Sequence, residues 1–335
     1  LKRLVPKLAA VATFSIACAA LAGCAGASPA PVVARKQAEP TWQDVFDTTP
    51  ELLVDLHPSA IEKDKVYGPL LRRIFDEARR RSRVVSSTRI LEVMGDADEV
   101  IFGLRPSTRG GTDDAAQEVV VVVVGVHADV DPARVVDADG KALWSPGPGS
   151  GVPELVRERD EQRQPLDASL FELAGRTWVI ATGDARARAR QVFAQPVGRP
   201  ALRLDPDALA LLRVDGPSLV KRVRGLQPLG ALAAVGRKLN SVTLRVPAGA
   251  EGKLELVFAY AEEDAAAFAE VAARQAVEAI GRKKPPKLAW LADAKVDRPD
   301  KRVVVTLALP AAVVDALLQA GSQSIDFDRG VPGTE

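Results

Sequence analysis

Few residue types able to do chemistry occur here, and they are scattered. The chain has two histidines, His57 and His127. His57 stands before Pro58 at the end of an apolar run, and His127 follows a run of valines. Neither lies at metal-ligand spacing from another histidine or a cysteine, which argues against zinc and haem. Both read as turn histidines, so no metal and no cofactor is expected. A serine hydrolase would need a Gly-x-Ser-x-Gly elbow. Gly147-Pro148-Gly149-Ser150-Gly151 has the composition without the spacing and reads as a loop. Gly110-Gly111-Thr112 lacks the Gly-Lys-Ser/Thr of a phosphate cradle.

Acids gather at Asp96, Asp98 and Glu99, at Asp113 and Asp114, and at Glu262, Glu263 and Asp264. Each group falls at a turn or helix start, where solvation and the helix dipole favour acids. Basic clusters stand at Arg72-Arg73, at Arg79-Arg80-Arg81 with Arg83, and at Arg282-Lys283-Lys284. Arg72/Asp76 and Arg73/Glu77 are i,i+4 pairs of a solvated helix face, worth a few tenths of a kcal/mol each. Contact with anionic lipid head groups is the functional alternative. Four tryptophans, Trp42, Trp144, Trp178 and Trp290, form no platform. Trp178, beside Val and Ile, is expected in the core, and Trp144, beside the Gly/Pro loop, at the surface. No catalytic residue is assigned.

The elements around these residues begin with a leader. Lys2, Arg3 and Lys7 precede Leu8 to Ala22, fifteen residues without a charge. A basic start, an apolar run of this length and small residues at its exit mark a secretory signal. A spanning helix needs about 20 apolar residues. Leu21-Ala22-Gly23-Cys24 resembles the lipobox of bacterial lipoprotein precursors. The resemblance implies diacylglycerol on the Cys24 thiol, cleavage between Gly23 and Cys24, and acylation of the new amine. Each buried CH₂ contributes about 0.8 kcal/mol, so two or more chains make a stable anchor. Ala25 and Gly26 follow where an Asp would favour inner-membrane retention, so the resemblance implies the outer membrane, on its periplasmic face or at the cell surface.

Removing residues 1–23 from the 335 leaves 312, and losing Lys2, Arg3 and Lys7 takes the formal charge from +1 to −2. That balance argues against nucleic acid as a partner. Cys18 lies in the leader and Cys24 would be a thioether, so the mature body has no disulfide and relies on its core. The length suits two domains or a duplicated unit.

Residues 24–40 are Pro/Ala-rich and read as a lipidated tether with a reach near 50 Å at about 3.3 Å per residue. Residues 321–335 read as a disordered tail. Between them runs a weak internal repeat. Leu52-Leu53-Val54-Asp55-Leu56-His57-Pro58-Ser59 matches Leu211-Leu212-Arg213-Val214-Asp215-Gly216-Pro217-Ser218 at an offset of 159, which also maps Pro69-Leu70 onto Pro228-Leu229. Each copy reads as a strand running into a Pro-Ser turn and then a helix, over 66–82 and 229–239. Strands are expected at 99–104, 118–126, 242–246 and 254–260, and hairpins turning at 174–176 and 297–300. Helices are expected at 88–95, 132–138, 184–194 with Asp184 as N-cap, 264–281, and from Pro310 to Leu318. The helix over 264–281 is expected to bury Phe268, Val271, Ala272, Ala276 and Ile280. Val119 to Val124, six valines, should form a central strand buried on both faces.

The fold class is therefore α+β, with two similar tandem modules, 41–196 and 197–320, of mostly antiparallel sheet with helices packed on it. The body resembles uncharacterised two-module lipoproteins of high-GC Gram-negative bacteria through Phe171-Glu-Leu…Thr177-Trp-Val-Ile-Ala-Thr-Gly-Asp184. The expected function is a non-catalytic envelope lipoprotein with a structural or partner-binding role. Its partners are the membrane, through lipidated Cys24, and a protein of unknown identity. The alternatives are a carrier of lipid or another apolar ligand, which needs an apolar cavity, and a carboxylate-based hydrolase.

Overall fold

Strands β1 (Leu52–Leu56) and β8 (Ala208–Asp215) pair antiparallel at the middle of one sheet, with Val54 opposite Leu212. The computed structural model describes residues 39–310 apart from 47–49, 70–71, 73–92, 107–116, 128, 137–138, 150, 160–164, 196–201, 203, 224–235, 237, 250–251 and 284–288. Outward from β1 come β2 (Glu99–Pro106), β3 (Gln117–Val124), β7 (Thr177–Thr182), β6 (Pro165–Leu173), β5 (Glu154–Arg159) and β4 (Ser145–Pro146). Outward from β8 come β9 (Leu239–Pro247), β10 (Lys253–Tyr260), β12 (Arg302–Ala308) and β11 (Lys295–Asp297). All the ladders between these strands are antiparallel. The architecture is α+β: one large antiparallel sheet with a few helices, to which residues 41–196 and 197–320 both contribute.

The valine run becomes β3, in the interior of the sheet. Val120 and Val122 face one core with Leu53, Ile101, Phe171, Val179 and Ala181. Val123 faces the other with Val93, Ala97, Val100 and Val126. A β-branched residue at every position suits a strand packed on both sides.

Pro58-Ser59 and Pro217-Ser218 do not form turns that precede a distant helix. They lie in the first turns of helices that follow their strands directly, α1 (Pro58–Lys63) and α3 (Gly216–Val223). A proline costs nothing there because its missing N–H has no intrahelical partner. Leu239, expected to end a helix, begins β9. Of the expected helix over 132–138, the described residues form a 3-10 turn, Pro132–Arg134. Most of 66–92, and 311–335, lie outside the described residues, with the helices expected there.

The N-cap of helix α2 (Asp184–Ala194) falls one residue earlier than expected. Gly183, at φ 57°, is the N-cap, and Asp184 stands in the first turn. Ala185, Ala189 and Phe193 recur at i, i+4, i+8 and pack on the sheet, with the Phe193 ring 5.1 Å from that of Phe171. Three arginines at alternate positions tie the helix down. Arg186 pairs with Asp167 of β6, Arg188 with Glu118 of β3, and Arg190 with Glu154 of β5. The Glu118 and Glu154 side chains are almost wholly buried, and Ser169 Oγ donates to Glu154 Oε1 at 2.6 Å.

Helix α4 (Glu263–Lys283) buries Ala266 and Ala269 against Tyr260, Val296 and Val303, with Ala273 and Val277 on the same stripe. Phe268 and Val271 are more than half exposed, contrary to the apolar face expected of them. The small stripe wins because alanines let the helix lie close to the sheet. Trp144 is buried, not exposed: it packs on Ala168 and Leu170, and Arg157 lies over its ring at 5.8 Å.

Candidate cation site

Strand alternation puts Leu53 and Asp55 of β1 on one face. Leu53 enters the core; Asp55, two residues on, is also wholly buried. His57 continues that alternation just past the strand end and caps α1. The β1–β2 ladder pairs Leu56 with Val100, so one step further His57 stands opposite Glu99. Asp55, His57 and Glu99 thus converge at one end of the β1–β2 pair. Ligand atoms from the three lie within 4.8 Å of one another.

Asp55 Oδ1 is 3.7 Å from His57 Nε2, an ion-pair contact too long for a hydrogen bond. Neither Asp55 oxygen nor His57 Nε2 has a hydrogen-bond partner among the described residues. The β1–β8 register sets Arg213 opposite Leu53, and Arg213 makes no hydrogen bond to Asp55. A buried carboxylate without hydrogen bonds is costly unless a positive charge stands beside it. The neighbours feel this. Asp55, through its polar contact and charge, raises the His57 pKa above the ordinary imidazole value, against the lowering by burial. Burial, then the Asp55 charge, raises Glu99 above the usual carboxylate range.

At the corresponding end of β8 and β9 the ladder pairs Asp215 with Ser241, which sets Gly216 opposite Asn240. Val214, Gly216 and Asn240 stand there in place of Asp55, His57 and Glu99. Gly216 leaves no room for a side chain: a Cβ would meet the Leu239 carbonyl oxygen at 2.1 Å.

No protein-family model matches the chain, and no curated protein matches it. One similar solved structure is crystal form I of TP0453, at 11% identity and a TM-score of 0.46, over 86% of this chain and 98% of that one.

Among the described residues, the others singled out in the sequence do not join the cluster. Gly23 and Cys24 lie outside the described residues, as do Ser150, Asp113, Asp114 and Arg79 to Arg83. His127 is exposed and contacts Asp98 at 2.9 Å. Gly147 and Gly149 belong to the turn between β4 and β5, where the Gly147 amide donates to the Glu154 carbonyl at 2.8 Å. Glu262 pairs with Lys238, and Glu263 with Arg298 at 3.4 Å. Arg282 and Lys283 occupy the last turn of α4, favourable for the helix dipole.

Across the sheet from α2 lies a shallow recess with a cavity volume of about 20 Å³, room for about one water. Val123, Leu170, Trp178 and Ile180 form its floor and Met94 and Trp144 part of its wall, so its lining is almost wholly apolar. The Asp55 cluster was not legible as a set. Asp55-Leu56-His57 carries the strand alternation that aligns the first two, but the partnership with Glu99 depends on a ladder between segments some 40 residues apart.

Proposed function

We propose that this protein is a lipid-anchored envelope protein, held through Cys24 at the outer membrane, with a body of two fused α+β repeats that acts by binding and not by catalysis. The observation that carries the anchor is the Leu21-Ala22-Gly23-Cys24 box at the exit of an uncharged apolar run. The sheet body lies beyond a short Pro/Ala-rich tether. The repeat is supported by strand order: strand, helix and two further strands appear as β1-α1-β2-β3 and again as β8-α3-β9-β10, laid outward from the central β1–β8 pair. The non-catalytic reading rests on the sequence, which has no Gly-x-Ser-x-Gly elbow and no Gly-Lys-Ser/Thr phosphate cradle.

The test is metabolic labelling with a palmitate analogue, followed by membrane fractionation. The wild-type chain is expected to take up label and sediment with outer membranes. A Cys24→Ala chain that still takes up label overturns the anchor.

A second role, carriage of a small apolar ligand, draws on the apolar lining beside Trp144 and Trp178 and requires the recess to open well beyond its present volume. Its readout is a change in tryptophan fluorescence when a fatty acid is titrated into delipidated protein. A Leu170→Gln variant is expected to lose that change, and an equal response from the variant removes this role.

A further inference from the structure

We propose that Asp55, His57 and Glu99 bind one divalent first-row transition cation, of the Zn²⁺ or Mn²⁺ kind, at the end of the β1–β2 pair. Three observations carry this. Asp55 is wholly buried with both oxygens unpartnered, so the fold holds a carboxyl group that nothing else among the described residues satisfies by hydrogen bonding. His57 Nε2, also buried and without a hydrogen bond, stands 3.7 Å from it. Two donors at that separation subtend roughly 120° at an ion about 2.1 Å from each, an open angle within reach of tetrahedral or trigonal ligation. Glu99, half-buried and in the same 4.8 Å cluster, supplies the third donor after a small side-chain rotation.

Chemistry selects the class of ion. An imidazole favours Zn²⁺ and its first-row neighbours, whereas Mg²⁺ and Ca²⁺ prefer sites made wholly of oxygen. Two carboxylates and a neutral imidazole offset the charge of a divalent cation. Three protein ligands leave at least one position for water or for a group from a partner. The second half of the sheet has lost all three donors at once, to Val214, Gly216 and Asn240. A site confined to one half fits a specific ligand better than a shared requirement of the fold.

The test uses the full chain, stripped with chelator and titrated by calorimetry with ZnCl₂ or MnCl₂ alone, with MgCl₂ and CaCl₂ as controls. Wild type is expected to bind one equivalent of Zn²⁺ or Mn²⁺ and to melt at a higher temperature when loaded, with no saturable binding of Mg²⁺ or Ca²⁺ at the same concentrations. Asp55→Asn and His57→Gln should each weaken binding at least tenfold, and Glu99→Gln should weaken it by a smaller factor. Co²⁺ should give visible bands that His57→Gln abolishes. Metal-free Asp55→Asn is a second readout that does not depend on titration. It should melt no lower than metal-free wild type, because the substitution removes a buried, unpartnered carboxyl group whose partner would be the ion. Absence of stoichiometric binding by folded wild type, or binding that all three variants retain unchanged, overturns the site. So does a metal-free Asp55→Asn protein clearly less stable than metal-free wild type, since the Asp55–His57 contact alone would then be sufficient.

Discussion

The Phe46 ring occupies the space that a side chain at residue 103 would need: a Cβ built on Gly103 would stand 2.7 Å from Phe46 Cε1. Phe46 is buried beside Leu53 and Ile101, so its ring would have to shift within a packed core to make way. Gly103→Ala is therefore expected to lower unfolding stability by about 1–2 kcal/mol through overpacking, measured by urea denaturation. An unchanged midpoint would show that Phe46 does not sit on β2 as described.

Gly216 is tighter still, because its neighbour is backbone. A Cβ there would meet the Leu239 carbonyl oxygen at 2.1 Å, and β9 is paired on both sides. Gly216→Ala should cost about 3 kcal/mol, the upper end for such insertions, and more than Gly103→Ala. The reverse ranking in parallel denaturant series would contradict the close approach of α3 to β9.

Glu154 anchors α2 from β5. Its side chain is wholly buried, and it accepts hydrogen bonds from Arg190 Nε at 2.7 Å and Ser169 Oγ at 2.6 Å. Glu154→Gln keeps the shape and removes the charge that Arg190 faces. Breaking a buried pair from one side costs roughly 3 kcal/mol. Lys238→Gln, which breaks the exposed pair with Glu262, should cost under about 0.5 kcal/mol. Thermal melts of both variants, run together, test the contrast, and equal losses would refute it.

The chain has two tyrosines, and both are buried. Burial raises Tyr67 and Tyr260 each to about 12, and Tyr67 Oη also donates to the Lys253 carbonyl at 3.0 Å. Phenolate absorbance near 295 nm should stay flat as the native protein passes pH 10 and rise only near 12 or on unfolding. A group raised in the fold favours the folded state fully below its unfolded pKa of about 10. That contribution is then lost as pH rises through 12. A native transition near pH 10 would place a tyrosine in solvent.

Much of the sheet was legible because its strands carry local signals. The valine run specified β3, and Ala174-Gly175-Arg176 specified the turn between β6 and β7, where Gly175 has φ 72° and Arg176 φ 55°. The antiparallel α+β class was legible for the same reason. The union of both halves in one sheet was not, because the β1–β8 contact leaves no local trace. Arg186, Arg188 and Arg190 went unnoticed because their partners lie on three different strands. On α4 the large apolar residues pointed to the wrong face, since close approach to a sheet rewards alanine more than Phe268 or Val271. At the candidate site, the spacing rules for metal ligands look along the chain, whereas Glu99 meets His57 across a ladder.

The pairing of β1 with β8 also sets a clock. The other neighbour of β1 is available once β2 has been made, but β8 begins about 150 residues after the end of β1. Contacts so distant in sequence are slow to form. Until β8 arrives, Leu52–Leu56 presents a bare strand edge beside a half-built sheet, the arrangement that recruits strands from other molecules. Each half can build its own ladders from segments nearer in sequence, and the seam expected to close last is the one at the centre.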